Sequence, residues 1–253
     1  MINLAKRASM KAGEYLLGNF NKTHKYNQKR TLDDFSTEAD KKSEEIILST
    51  LQKKYPDHNI LSEEVGKIDN NSEYTWVIDP LDGTIAYSSK LPFFGVSIGL
   101  LKKGKPILGV INLPKFNILV WAEEGKGAFN NGERINVSKK KRLIDSVLAF
   151  EWGYIDEREE KIEKVLRPLI KKTRYFECFA SAVFAQAYVS MGLLDGYIHK
   201  AHPWDFAAGM VILKEAGGKI TDWDGKKFEL LEDRPAAIIS NGLIHEEILN
   251  LMK

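Results

Sequence analysis

The chain has 253 residues, 43% hydrophobic and 28% charged, with a formal net charge of +2. That describes a soluble globular protein of one large domain or two modest ones sharing a core, and it gives no sign of a nucleic-acid-binding face or a membrane surface. The single cysteine, Cys178, excludes an intramolecular disulfide. With no apolar leader in Met1–Arg7 and no apolar run near the ~18–20 residues of a membrane span, a cytoplasmic protein is expected.

Leu4, Ala5, Ala8, Ala12, Leu16 and Phe20 recur near helical spacing and predict a helix over 2–20. A polar stretch follows, 21–36. A second helix is predicted over 38–55 from Ile46, Ile47, Leu48 and Leu51. Thr37 suits its N-cap, acidic residues its first turn, Lys53 and Lys54 its last, and Pro56 ends it. Strand-like runs come next, at 59–62, 75–78, 94–101, 106–112 and 118–122. Their short turns, such as Lys102-Lys103-Gly104-Lys105, predict an antiparallel sheet. Beyond about residue 140, helical patterns (157–171, 181–191, 205–216, 243–252) alternate with short strands (174–176, 196–198, 219–221, 236–240), an α/β texture. The basic run Lys139–Arg142 marks the join and reads as a solvated linker. Two units are expected: an α+β half, 1–140, and an α/β half, 141–253.

Chemistry gathers after the apolar run Trp76-Val77-Ile78, in Asp79-Pro80-Leu81-Asp82-Gly83-Thr84. Two carboxylates stand three positions apart at a strand end. Pro80 has no N–H to give a ladder, Gly83 permits a close backbone approach, and Thr84 adds a hydroxyl. Glu63, after the strand 59–62, and Asp205, before the helix 205–216, complete a set of four acidic positions. If they converge, mutual repulsion raises some of their pKa values unless cations neutralise them. Carboxylates with a backbone carbonyl suit a hard cation such as Mg²⁺, and scattered histidines with one cysteine argue against zinc.

Each acid has a plainer reading. Asp205 can cap its helix, Glu63 and Glu64 can be solvated loop charges, and Asp79 and Asp82 can form a turn. A structural turn does not need two carboxylates, a glycine and a threonine together, so the joint pattern favours a site. There is no phosphate-binding Gly-x-x-x-x-Gly-Lys-Ser/Thr loop. Cys178, among Phe176, Phe179 and Ala180, reads as core, as do Phe93, Phe94 and Trp121. His199 and His202, near Asp205 but without a clear partner, read as structural or surface residues.

The chain resembles the inositol monophosphatase family, the Mg²⁺-dependent, lithium-sensitive phosphatases related to fructose-1,6-bisphosphatases. Three segments carry the resemblance in family order: Ile60-Leu61-Ser62-Glu63-Glu64, Trp76–Thr84, and Pro203-Trp204-Asp205-Phe206-Ala207-Ala208-Gly209 running on to Lys214–Gly218. The segment Gly125–Gly132 is also similar. The resemblance implies a layered αβαβα sandwich, with an antiparallel sheet in the first half, and commonly a dimer. It implies two or three Mg²⁺ ions. One uses Glu63, Asp79 and the Leu81 carbonyl, a second Asp79, Asp82 and Asp205, and a weaker third lies near Glu63. Thr84 paired with Asp40, together with Glu63, would position and activate a water for in-line attack on phosphorus. The amides of Gly83 and Thr84, at a helix start, would hold phosphate.

The chain departs from its relatives around the substrate pocket. Many read Arg-x-x-Gly-Ser-Ala where this chain has Glu177-Cys178-Phe179-Ala180-Ser181-Ala182. An acidic residue that inositol-specific members carry before Trp-Asp has His199 as its nearest counterpart. Ile85-Ala86-Tyr87 replaces the more usual residues after Gly-Thr. Asp82, Gly83, Thr84, Ser181, Ala182, His199 and Asp205 are thus the expected substrate contacts, and Lys29 of the polar stretch reads either as a contact to phosphate or metal-bound water or as a solvated lysine. The expected substrate is a small phosphomonoester: inositol 1-phosphate first, fructose 1,6-bisphosphate also, with histidinol phosphate or a 3′-phosphoadenosine nucleotide as alternatives. Because some relatives bind the transcription machinery, a regulatory interaction protein of the same fold is the competing class.

Overall fold

A computed structural model describes residues 1–22, 26–28 and 35–253; Lys29 and most of the polar stretch lie outside them. The larger sheet has eight strands in the order Glu133–Ile135, Ala128–Asn130, Ile118–Glu123, Lys105–Leu113, Gly95–Lys102, Tyr74–Asp82, Asn59–Ser62 and Gly66–Ile68. The expectation of an antiparallel sheet holds except at one junction, where Asn59–Ser62 runs parallel to Tyr74–Asp82. The smaller sheet orders Tyr175–Glu177, Val147–Phe150, Gly196–Lys200, Ala236–Ser240 and Lys219–Thr221. Its first three strands are parallel and the rest antiparallel.

The two-residue period of a strand sorts side chains into layers. Trp76, Ile78, Val96, Ile98, Leu100 and Val110 pack against Ile2–Asn19 and Glu38–Gln52, on one face of the large sheet. Val77, Leu101, Ile111 and Val120 turn to the other face, against Ala182–Ser190 and Pro203–Glu215. Those two helices also meet the small sheet through Ala149, Tyr197 and Ile239. On that sheet's far side, Leu148, Ile198 and Ile238 pack on Val165, Leu169 and Ile248 from the outer helices. The result is a layered αβαβα sandwich.

Several expected boundaries shift. The second helix stops at Gln52, and the last starts at His245. The expected helix 157–171 is broken into Arg158–Lys161, a π-helical turn Ile162–Leu166 and Arg167–Leu169, with Pro168 unable to donate in the last piece. The strand expected to end at Ile78 runs on to Asp82. Cys178, expected in the core, is an exposed residue whose thiol nonetheless turns in toward Glu151. Phe94 is fully buried, whereas Phe93 and Trp121 are half-buried.

Candidate active site

In the pairing of Tyr74–Asp82 with Gly95–Lys102, Asp79 faces Ser97 and Asp82 faces Gly95. Three steps on one strand match two on the other, so a one-residue bulge lies between them. On an unbroken strand, residues three apart point to opposite faces; the bulge turns both carboxylates to the same side. Pro80 is tolerated because a bulge needs no ladder N–H from it. Next, Gly83 takes φ 82°, and a side chain there would meet the Phe93 carbonyl oxygen at 2.5 Å.

The third acid arrives through close packing. Gly99 and Gly109 let the helix Pro203–Glu215 lie directly on the large sheet: an added Cβ would come within 2.9 Å of Ala207 at the first and 2.2 Å of the Ala208 carbonyl at the second. Asp205, in the first turn, thereby joins the other two. One carboxylate oxygen each from Asp79, Asp82 and Asp205 lies within 4.8 Å of the others. Glu63 is not in that trio but lines the same cavity, with Leu81, Gly83, Thr84, His199 and Arg234.

Each carboxylate has a fixed orientation. Asp79 Oδ1 accepts from the Leu81 N–H at 3.0 Å. Asp205 Oδ2 accepts from the His202 N–H at 2.6 Å, capping its own helix. Asp82 sits at the start of Ala182–Ser190, where the Ser181 hydroxyl donates to it, with the Ala182 and Val183 amides at 3.1 and 3.2 Å. Ser181 and Ala182 line the neighbouring cavity as well, yet their polar groups hold Asp82. Burial pushes the Asp79 carboxyl well up, reinforced by the charges of Glu63, Asp82, Asp205 and Asp40. Burial also raises Asp82 to about 7 against its three donors. Asp205 reaches about 7 through burial and the Asp82 charge.

The helix Glu38–Gln52 orients this wall with a single stripe. Its buried residues Asp40, Ser43, Glu44, Ile47 and Leu51 follow helical spacing. The apolar end enters the core and the polar end braces the site. Thr37 caps the helix, and Asp40 divides its two oxygens. Oδ2 accepts from the Thr37 amide at 2.7 Å and its hydroxyl at 2.6 Å, while Oδ1 accepts from the Thr84 hydroxyl at 3.0 Å. Burial raises Asp40 to about 6. Ser43 donates to the Pro80 carbonyl at 2.6 Å. Glu44 Oε1 accepts from the Ser62 hydroxyl and the Glu64 and Val65 amides at 2.5, 3.3 and 3.1 Å, fixing the turn that carries Glu63. Sequence reasoning singled out Asp40 but missed Ser43 and Glu44. Their phase with Ile47 and Leu51 was the available signal.

A second cavity of about 300 Å³ adjoins the acids and shares Asp82, Tyr154, His199 and Asp205 with theirs. Its wall includes Glu151, Trp152, Arg158 and Cys178. Glu151 is occupied internally: it accepts from the Phe179 and Ala180 amides, both at 2.9 Å, and from the Cys178 thiol at 3.2 Å. That thiol is pushed up to about 12 by burial of the sulfur and the Glu151 charge, so it is no nucleophile at neutral pH. His199, read from its surroundings in the sequence as structural or surface and from the resemblance as a substrate contact, is buried and lines both cavities.

A layered αβαβα sandwich with an oxygen-only acidic cluster beside a polar cavity is the framework of a metal-dependent phosphatase. Residues 1–253 match the inositol monophosphatase family, and the chain belongs to it. It is 37% identical over 243 residues to a Thermotoga maritima "fructose-1,6-bisphosphatase/inositol-1-monophosphatase", covering 96% of this chain and 91% of that protein. It is 35% identical over 254 residues to the "Nus factor SuhB" of Pasteurella multocida, covering 99% and 94%. The crystal structure of an "extragenic suppressor protein suhB" from Bartonella henselae superposes with a TM-score of 0.94 at 33% identity, covering 99% and 97%. The protein is a phosphoric monoester hydrolase of a metal-dependent family acting on small phosphorylated substrates. Among the described residues, no helix is long and apolar enough to cross a membrane.

Proposed function

We propose that the protein hydrolyses a small polyol or sugar phosphate, with inositol 1-phosphate as the leading substrate and fructose 1,6-bisphosphate as a second, in a Mg²⁺-dependent reaction. The observation that carries this is the contiguity of three close carboxylates with a cavity of about 300 Å³. The donor set fits magnesium: its carboxylates offer oxygen alone, Leu81 lines the same cavity, and burial with mutual repulsion pushes the Asp79 carboxyl up. Glu63, Asp79 and Leu81 would hold one ion, Asp79, Asp82 and Asp205 a second, and a weaker third would lie near Glu63. Bound there, the cations supply Lewis-acid activation of water and offset charge on the phosphoryl and leaving oxygens.

The chain's own residues do the rest. The Thr84 hydroxyl lies 3.0 Å from Asp40 Oδ1 and 3.1 Å from the Leu81 carbonyl. Donating to Asp40, its charged acceptor, leaves its lone pairs to accept a hydrogen bond from the attacking water, whose proton passes through the hydroxyl as the hydroxyl's own proton moves to Asp40. Asp40, titrating near 6, is mostly a carboxylate at neutral pH and keeps Thr84 in that orientation. Glu63, on its braced turn, faces the same water. The Gly83 and Thr84 amides bind phosphate oxygens, and Ser181, Ala182 and His199 border the alcohol half. The division into 1–140, with most metal ligands, and 141–253, with Asp205 and the pocket, belongs to this reading. So do a homodimer and a cytoplasmic setting.

Phosphate release with and without Mg²⁺ tests the reading across inositol 1-phosphate, fructose 1,6-bisphosphate, histidinol phosphate and 3′-phosphoadenosine 5′-phosphate. Release from none of them by folded protein removes it. The similarity to proteins named Nus factor supports a second reading, a regulatory interaction protein of the same fold. A stable pull-down complex without turnover of any phosphomonoester would favour that one.

A further inference from the structure

Behind the second cavity lies a chain of buried charges drawn from separate segments. Glu157 takes Arg234 in a bidentate pair, Nε to Oε1 at 2.9 Å and Nη2 to Oε2 at 2.6 Å. Lys161 Nζ approaches the same carboxylate at 3.8 Å. Lys161 is only 2% exposed. Its ammonium donates to the Glu151 carbonyl at 3.1 Å and faces His199 Nδ1 at 3.3 Å. Lys161 also ends the short helix Arg158–Lys161, just before the π-helical turn Ile162–Leu166, a distortion that gathers at functional sites.

An ammonium has three donors and no acceptor. Although burial lowers Lys161 to about 8, it remains protonated at neutral pH. The Glu151 carbonyl is a competing acceptor for a ring N–H of His199, but it already accepts from Lys161, and an ammonium 3.3 Å from Nδ1 favours the lone pair there and the imidazole proton on Nε2. The ring is neutral, because burial and the charges of Lys161 and Arg234 hold it well below the usual histidine range. It packs between Tyr197 and Phe206, with centroids 5.7 and 6.5 Å away, and lines both cavities. With Nδ1 engaged, the Nε2–H is the polar group this ring leaves for a ligand.

Resting on the phosphatase reading above, we propose that Lys161 is a positioning residue that locks His199 in its Nε2–H form. His199 then donates a hydrogen bond to an acceptor oxygen on the alcohol half of the substrate and selects alcohols that present one there. Glu157 anchors the device. The same carboxylate holds Arg234, whose Nη1 lies 3.2 Å from His202 Nε2 and whose guanidinium lies 4.3 Å from the Tyr154 ring centre. A site built to donate a hydrogen bond discriminates strongly against a ligand that cannot accept it, because its buried donor is left unpaired.

Two measurements test this. Nitrogen-15 NMR of the wild-type protein at neutral pH reads the His199 tautomer, with protonated Nε2 and unprotonated Nδ1 expected. Steady-state kinetics with Mg²⁺ then compare inositol 1-phosphate with p-nitrophenyl phosphate, whose leaving group has no polyol oxygens. Lys161→Met should raise KM for inositol 1-phosphate about tenfold and change p-nitrophenyl phosphate turnover by less than about twofold, and Lys161→Arg should restore the preference. Glu157 keeps Arg234 as a partner in the methionine variant. An Nδ1–H tautomer in the wild type, or an unchanged substrate preference in folded Lys161→Met, overturns the proposal. No phosphate release from either compound by the wild type overturns the phosphatase reading and with it the substrate contact, while the NMR measurement separately decides whether Lys161 holds the ring.

Discussion

Around Thr84, Pro80 and the 62–65 turn, the frame beside Asp79 and Asp82, a single helix does the bracing, through Asp40, Ser43 and Glu44 from adjacent turns of Glu38–Gln52. Around His199 the bracing is dispersed: Glu151, Glu157, Lys161 and Arg234 come from a strand end, a 3₁₀ turn, a four-residue helix and a loop. A wall held by one helix face can keep a fixed geometry for the chemistry common to all substrates. A wall assembled from several segments can change one side chain at a time, which suits it to choosing the alcohol. The difference predicts that damage to the first wall lowers the rate with every substrate, and damage to the second changes preference.

The largest effect should come from Asp79→Asn, at the centre of the first wall. Mg²⁺-dependent phosphate release should fall by about 10²–10³ or more, with the circular dichroism spectrum unchanged. Wild-type turnover in that variant would remove the metal assignment.

Charge repulsion in the same wall gives a pH effect. Burial raises Asp40, Asp82 and Asp205 to about 6, 7 and 7 in the folded state, from an ordinary aspartate value of 3.8. The folded state therefore binds more protons than the unfolded chain between these limits. Their contribution favours folding at low pH and is lost as pH rises through about 6–7. Cations compete with those protons, so the rise in Tm produced by Mg²⁺ should grow between about pH 5.5 and about pH 8. The buried His199 and His245 titrate the other way, so the comparison is made with and without Mg²⁺ at each pH. A pH-independent Mg²⁺ effect would mean that the ion binds elsewhere.

Glu44→Ala sharpens the contrast between the walls. It frees the turn carrying Glu63 and removes a buried acceptor, costing about 1–3 kcal/mol of stability by denaturant titration. Phosphate release should drop about tenfold for inositol 1-phosphate and p-nitrophenyl phosphate alike; a change in the ratio between them would break the proposed division of labour. The smallest effect expected is at Ala180, a non-glycine residue that sits at φ 54°. Relief of the left-handed conformation by Ala180→Gly should stabilise the protein by up to about 1 kcal/mol, read from the same titrations.

Much of this protein was legible before any coordinates. Local periodicity placed the two N-terminal helices and the middle strands, and Thr37 was readable as a cap because capping is a contact between near neighbours. Glu63, Asp79, Asp82, Thr84 and Asp205 stood out because each lies in a short segment where residue type and spacing already imply chemistry. The tertiary structure alone decided that a bulge puts Asp79 and Asp82 on one face, since a one-residue register shift depends on the partner strand. It also decided that Gly99 and Gly109 let Asp205 approach, and that Ser181 serves Asp82. The pairing of Glu157 with Arg234 spans 77 positions, and Lys161 meets His199 across 38. No local spacing encodes such contacts, because they exist only once separate layers have packed and buried charges must find partners to offset their lost hydration.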